Sequence, residues 1–415
     1  MDSRELYPSD EQRRRIMDFI MAAGETLLEN GAEVFRVEQT MEIMARSFHL
    51  REFHVYVLTN GIFASAGTAE IAEVRNVPVR TTHLGRVAAV NALSREIAAG
   101  GVTLDEAEHR LADARRIPFP KGKTQLLAGM SGTACFALIF GGTIRSALAA
   151  AAAGFIVSGY LLLCEKKNLS NGFRKISAAA LITLVCILGC HLLDTEASHA
   201  IIGTLMILTP GIAFTMGIRD FVQGDYLSGT IRMIDALLIA ASIAIGTGLV
   251  PYFDPDGGDG GMMTLTSTQL GQLAAQFFLA GAGTLSFAVL FACPKRTLPC
   301  CALVGAVGWF VYELAVLYGA DAAAASLIAV IPLSLAARIC AVLLKTPVTV
   351  FLLTGIFPLV PGAGIYYTAY YFIQGENALS LANGISTFKV AVTLAVGIAL
   401  VLGLPMPSGH AWKRK

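Results

Sequence analysis

Polar and apolar positions divide this chain near residue 124: short periodic stretches before it, long apolar segments after it. Ser9-Asp-Glu-Gln12 reads as a capping box opening a helix that ends near Asn30-Gly31. A second helix, 32–47, gathers Val34, Val37, Met41 and Met44 on one face. Glu52 to Leu58 alternates as a strand, Asn60-Gly61 signals a type I′ turn, and Ile62 to Ala66 returns. Two more helices are predicted at 85–99 and 104–116, the second opened by the capping box Thr103-x-x-Glu106. Residues 1–124 therefore predict a small α+β domain, with a stiff basic linker over 117–124.

After Lys123 the pattern changes to apolar runs, each near the ~20 residues a helix needs to cross the hydrocarbon layer. They fall at 126–143, 146–163, 176–192, 200–218, 231–250, 270–292, 298–317, 322–343, 348–372 and 384–403. The first five repeat as the last five at a constant offset of 151. Gln125, Gly132, Thr133, Phe136 and Phe140 return as Gln276, Gly283, Thr284, Phe287 and Phe291. Pro210-Gly211 returns as Pro361-Gly362, and Phe221-Val-Gln-Gly-Asp225 as Phe372-Ile-Gln-Gly-Glu376. An odd number of crossings per copy inverts the second copy, and inverted repeats are an architecture of secondary transporters. The expected fold is an all-α polytopic membrane protein of ten transmembrane helices, as two inverted five-helix repeats over 125–250 and 270–404. The small α+β domain precedes them, on the cytoplasmic side.

Composition supports this reading and adds sidedness. The chain is 55% hydrophobic and 15% charged, with mean hydropathy +0.63, so most of it is expected in lipid. Lys166, Lys167, Arg174, Lys175, Arg219, Arg232, Lys295, Arg296, Lys345 and Lys413 to Lys415 mark one side; Asp194, Glu196, Asp254, Asp256, Asp259, Asp321 and Glu376 mark the other. The positive-inside rule then puts both termini in the cytoplasm, with Arg145 as the exception. Met1-Asp-Ser-Arg-Glu5 lacks a signal-peptide core. Net charge +1 and the lack of a basic aromatic patch argue against nucleic acid. All eight cysteines lie in or beside apolar segments, without zinc or disulfide spacing, and read as small buried thiols. His49, His54, His83 and His109 share no metal-ligand spacing, and no phosphate-loop motif is present, so no cofactor and no ATP motor are expected. Asp254-Pro-Asp-Gly-Gly-Asp-Gly-Gly261 starts like a calcium loop, but Leu265 occupies the position of the closing acid. A flexible outer loop fits it better.

The candidate chemistry lies inside the spans. Proline within a spanning helix frees backbone groups, and half-helix N-termini suit a carboxylate. Thr209, Pro210 and Gly211 in span four, and Pro358, Pro361 and Gly362 in span nine, are thus candidate substrate-binding residues. Lys389 in span ten could neutralise a substrate carboxylate, or snorkel; Asp235 in span five could carry a proton, or pair with Arg232. Gln223, Asp225, Gln374 and Glu376 form loops that could gate the path or simply turn the chain. A competing reading is an intramembrane serine protease, because Gly129-Met-Ser-Gly132 places Ser131 in a nucleophile-like setting. Its only candidate bases, His191 and His199, stand at the far ends of their spans, and the repeat partner of the motif is Ala-Gly-Ala-Gly.

Leu27-Leu-Glu-Asn-Gly-Ala-Glu-Val-Phe-Arg-Val-Glu38, Arg86-Val-Ala-Ala-Val-Asn-Ala-Leu93 and the Thr-Pro-Gly span together resemble the threonine/serine exporter family. The resemblance covers nearly the whole chain in the same order; in some relatives, including a dicarboxylate exporter pair, the two halves are separate polypeptides. It implies export of a small amino acid or carboxylate from a bacterial cytoplasm, across the inner membrane, driven by the proton motive force. The expected partners are that small molecule, protons and the lipid bilayer; a homo-oligomer is compatible with it.

Overall fold

The computed structural model describes residues 9–67, 71–77, 81–167, 170–208, 210–248 and 267–404. The chain forms two compact units. One comprises Met1–Lys121 together with Ala288–Leu298 and Cys340–Phe351; the other comprises Gly122–Phe287, Pro299–Ile339 and Leu352–Lys415.

The first unit contains α1 (Asp10–Glu29), α2 (Val34–Ser47), β1 (His54–Leu58), β2 (Gly61–Ala66), β3 (Ile71–Asn76), α3 (Leu84–Ala98) and α4 (Leu104–Arg115). The capping box forms at α1: Ser9 Oγ accepts from Gln12 N–H, and Gln12 Oε1 accepts from Ser9 N–H. At α4, Thr103 Oγ1 accepts from Glu106 N–H at 3.4 Å. The expected apolar face of α2, Val34, Val37, Met41 and Met44, is fully buried against α1 and the sheet. Each such side chain contributes on the order of 1.5–3 kcal/mol by leaving water.

The sheet corrects two expectations. Leu58 pairs with Gly61, so the hairpin turns on Thr59-Asn60, and Gly61 belongs to β2. Neither Asn60 nor Gly61 has positive φ, so the type I′ turn does not form. The third strand, β3, pairs antiparallel with β2 and was not anticipated. Its more covered side carries Glu73 and Arg75, and Arg75 pairs with Asp18, Glu25 and Glu73 at 3.1–3.5 Å. An edge strand whose inner face is charged shows no apolar alternation, which is why periodicity misses it.

In the second unit and its boundary segments the helices are α5 (Gly122–Ile139), α6 (Ile144–Lys166), α7 (Asn171–Leu192), α8 (Ser198–Leu205), α9 (Pro210–Val222) and α10 (Tyr226–Gly248). They continue as α11 (Ser267–Leu290), α12 (Leu298–Leu317), α13 (Ala322–Leu343), α14 (Val348–Gly355), α15 (Gly362–Ile373) and α16 (Asn377–Gly403). Three-residue 3-10 turns, Met206–Leu208 and Phe357–Leu359, stand between α8 and α9 and between α14 and α15. The offset of 151 carries over to these bounds: α7 maps onto α13, and the first 3-10 turn onto the second, without a residue's difference.

Among the described residues, seven helices are long and apolar enough to cross a membrane, and nine spans result if each bent pair counts as one. The expected tenth is α5, which falls outside this set. Lys123 and Gln125 open it, and Gly129, Ser131, Gly132 and Thr133 dilute its apolar content. These small residues serve packing: Thr133 Oγ1 donates to the Ala150 carbonyl of α6 at 2.8 Å, and a Cβ on Gly154 would lie 2.2 Å from Thr133 Oγ1. Six of the eight cysteines are buried, and none is bridged in a disulfide. The acidic loop Asp254–Gly261 lies outside the described residues.

Candidate functional site

Both proline-glycine segments break their helices. The α8–α9 pair bends by 55° and the α14–α15 pair by 52°. At the second break Val360 turns extended (φ −66°, ψ 128°), and Pro361 starts α15 with ψ 55°. Gly362 N–H folds back to the Val360 carbonyl at 2.7 Å. The first turn of α15 then begins beyond it, with N–H groups that lack intrahelical acceptors. Thr209 is outside the described residues; Pro210 opens α9.

The two breaks meet. A Cβ on Gly211 would lie 2.0 Å from Val360 Cγ1 and 3.1 Å from Gly362 N, while one on Gly362 would lie 3.2 Å from Met206 Sδ. Only glycine at 211 lets the two segments approach this closely. A small apolar cavity opens beside the crossing, lined by Ile202, Leu205, Met206, Ile243, Gly362, Ala363 and Tyr366. Its size is on the order of one water molecule. Pro358 is buried in the adjacent turn.

Next to the crossing, contacts repeat in exchanged order. A Cβ on Gly132 would lie 3.1 Å from the Phe287 ring, and one on Gly283 would lie 3.1 Å from the Phe136 ring. Gly283 and Phe287 are the repeat counterparts of Gly132 and Phe136. Residue i touching the partner of j, and j touching the partner of i, is the signature of a local two-fold relation. Phe136 and Phe287 meet edge to face at 5.2 Å, and Phe287 stacks on Phe357 of the second break at 3.9 Å.

Other predicted site residues lie away from the crossing. Asp235 is exposed on α10, and Lys389 is exposed on α16. Arg232 pairs with Asp220 at 2.9 Å, so the alternative pairing of Asp235 with Arg232 is not what the structure contains. The two Gln-Gly-acid loops have one geometry. Gly224 and Gly375 have φ of +87° and +80°; Asp225 N–H reaches the Asp220 carbonyl, and Glu376 N–H the Tyr371 carbonyl, each at 2.9 Å. This is a glycine helix terminator used twice. Asp225 Oδ1 also accepts from Ser228 N–H at the start of α10. Gln223, Gln374 and Glu376 are exposed.

Three ionisable groups escaped the sequence reading. Arg219, taken as a loop charge, is 1% exposed within α9. A guanidinium so deep in a broken span is costly and belongs to the interior of the bundle. The repeat offered a signal, since its counterpart is Tyr370, itself buried. Glu313 is half-buried in α12, one turn from Trp309, whose Nε1 donates to Gln276 Oε1 at 3.0 Å. Arg338 of α13 donates to the Val401 and Leu404 carbonyls and so caps the end of α16. Both stand in predicted spans and were readable there.

The protease reading fails on geometry. Ser131 Oγ bonds the Leu127 carbonyl and Ser286 Oγ, each at 2.9 Å, and no histidine is among its partners. The counterpart of Ser131 is Ala282, not Ser286, and the hydroxyl contact ties α5 to α11. No cluster of histidine, cysteine and acidic side chains fit for a metal occurs among the described residues.

Residues 18–253 match the family model of the threonine/serine exporters, and residues 276–403 match a second model described as Threonine/Serine exporter, ThrE. The chain belongs to the threonine/serine exporter family. A protein of Mycobacterium tuberculosis named "Probable threonine/serine exporter" is 26% identical over 243 residues, 57% of this chain. The match spans 46% of that protein's own length. The "Threonine/serine exporter" of Corynebacterium glutamicum is 22% identical over 409 residues, 93% of this chain and 81% of the relative. No solved structure matches the chain. These relatives of the exporter family are named as transporters, not enzymes, which agrees with the helical, multi-pass character described above.

Proposed function

We propose that this chain exports threonine, serine or a small carboxylate from a bacterial cytoplasm across the plasma membrane, driven by the proton motive force. The observation that carries the proposal is the crossing of two broken spans at Gly211 and Gly362. Discontinuous helices in equivalent positions of two repeats are where secondary transporters bind substrate, and a two-fold related pair supports two access states of similar energy. In this reading α5 counts as the tenth span, the repeats over 125–250 and 270–404 are inverted, and both termini are cytoplasmic. The 1–124 domain stays with them on that side.

The first turns of α9 and α15 present N–H groups to the substrate carboxylate, with Thr209, Pro210, Gly211, Pro358, Pro361 and Gly362 forming the site. Asp235 carries the coupling proton and Lys389 attracts the carboxylate. Their exposure on the single chain fits these roles if a second copy or a water-filled path covers them, as in a homo-oligomer. Gln223, Asp225, Gln374 and Glu376 form the gates where the two repeats turn.

Cells preloaded with labelled threonine, serine and succinate, with and without the gene, test the reading. Expression should speed efflux of at least one of the three, and a protonophore should abolish that gain. Equal efflux of all three with and without the gene would overturn it. Asp235→Asn should remove the response to the protonophore, and Lys389→Met should raise the substrate concentration for half-maximal efflux.

A further inference from the structure

Three helix ends of the second repeat lie within the same compact unit as the N-terminal domain. The first is the end of α11. The Phe291 and Ala292 carbonyls beyond it accept hydrogen bonds from Leu84 N–H and Gly85 N–H, the first two residues of α3, each at 2.9 Å. A helix start has spare donors and a helix end has spare acceptors; here each satisfies the other, and the dipoles meet with opposite signs. The approach requires glycine, since a Cβ at Gly85 would lie 2.8 Å from the Ala292 carbonyl oxygen.

The second is the end of α13, where Arg95 donates to the Lys345 carbonyl. The third is the start of α14, where Thr349 Oγ1 donates to Glu33 Oε1 at 3.0 Å, both side chains being buried. Glu33 holds the N-cap position of α2 but makes no side-chain cap bond there. The domain thus sets donors and a cation on two C-terminal ends and a carboxylate on an N-terminal one, the signs that the helix dipoles favour.

We propose that the N-terminal domain is a clamp on the leading turn of α14, and that this half of the second broken span moves only when the Glu33–Thr349 contact opens. Eight residues, roughly 12 Å of helix, make up α14 from that turn toward the proline break, a piece short enough to move as one. The counterpart of Thr349 is Ser198, whose hydroxyl pairs with its own neighbour His199 at 3.5 Å. The clamp therefore distinguishes two otherwise equivalent halves. Its effect on export rests on the function proposed above; the contact itself does not.

Full-length protein in proteoliposomes tests the clamp through two readouts, hydrogen exchange of the Val348–Gly355 segment and efflux of labelled threonine, serine and succinate. Thr349→Val removes the hydroxyl at nearly constant size, and Thr349→Ser restores it. The expected result is at least threefold faster exchange of Val348–Gly355 in Thr349→Val, with α1 unchanged and Thr349→Ser like the wild type. Efflux should fall at least threefold in Thr349→Val alone, because a contact made in one access state holds that state's population. Equal exchange in the valine and serine variants would overturn the clamp, as would faster exchange with unaltered efflux. If the wild type exports none of the three compounds, the transport reading fails, and the exchange comparison alone decides the clamp.

Discussion

The same turn exists twice in this protein and is finished in two ways. In the first repeat, Arg145 donates to the Leu193 and Asp194 carbonyls at 3.5 and 3.4 Å, beyond the end of α7. Thr143 and Thr195 bond each other at 3.1 Å, and His199 packs against Gly141. In the second repeat, the Lys345 carbonyl, counterpart of the Asp194 carbonyl, accepts from Arg95 of the N-terminal domain. The Phe291 and Ala292 carbonyls accept from the first turn of α3. Helix ends leave the same orphan carbonyls in both places. After α7 the carbonyls are met by Arg145 of the same repeat; after α11 and α13 they are met by a folded domain. Arg145, the exception to the charge pattern of the sequence, serves as a helix cap.

The largest expected effect comes from forcing the domain-capped turn apart. Gly85→Leu places a side chain where the Ala292 carbonyl stands, and overpacking of this kind costs about 1–3 kcal/mol. The full-length variant should unfold at lower temperature in detergent and be cut faster by protease at 117–121. A wild-type melting temperature would show that the α3–α11 contact does not hold the domain.

Next in size is transport. Pro210→Ala and Pro361→Ala each restore a backbone donor and straighten a break. If the breaks are equivalent, both should lower threonine efflux several-fold, to a similar extent, at unchanged expression. Loss from only one would assign the substrate to one half and end the symmetric reading of the site.

A smaller effect separates the two arginine caps. Arg95→Ala removes a short bond that ties the N-terminal domain to the end of α13 and should cost about 1 kcal/mol, whereas Arg145→Ala, whose bonds at 3.4 and 3.5 Å are long, should stay within about 0.5 kcal/mol. Thermal unfolding of the two variants side by side checks this order. Equal losses would remove the distinction between a domain-capped and a self-capped repeat.

The smallest effect is a pH dependence. His83 Nδ1 accepts from Arg86 N–H at the start of α3, and burial holds the imidazole below its ordinary pKa of 6.5. A depressed pKa means that the unfolded chain binds the proton more readily, so this contribution is present above pH 6.5 and fades as pH falls below it. Losing such a cap costs roughly 1 kcal/mol. Stability of the wild type should therefore drop between pH 7 and pH 5 by more than that of His83→Asn, whose amide caps without titrating. Parallel curves for the two proteins would show that the histidine is not the titrating cap.

Sequence alone determined a great deal of this protein. The helical segments, the offset of 151 and the two breaks follow from local periodicity, because a helix in lipid must be apolar and must satisfy its backbone internally. The capping box at Ser9 and the buried face of α2 are equally local. Contacts between distant segments were not readable. Nothing in a linear pattern says that Gly211 rests on Val360, or that Glu33 finds Thr349, 316 residues away. β3 was missed because its inner face is charged, and the hairpin turn was misplaced by one residue because Gly61 serves the strand pairing. Periodicity records which face of an element is apolar. Only the tertiary structure decides which other element that face, or that helix end, will meet, because the orphan groups of a helix terminus accept any partner with matching donors that folding brings near.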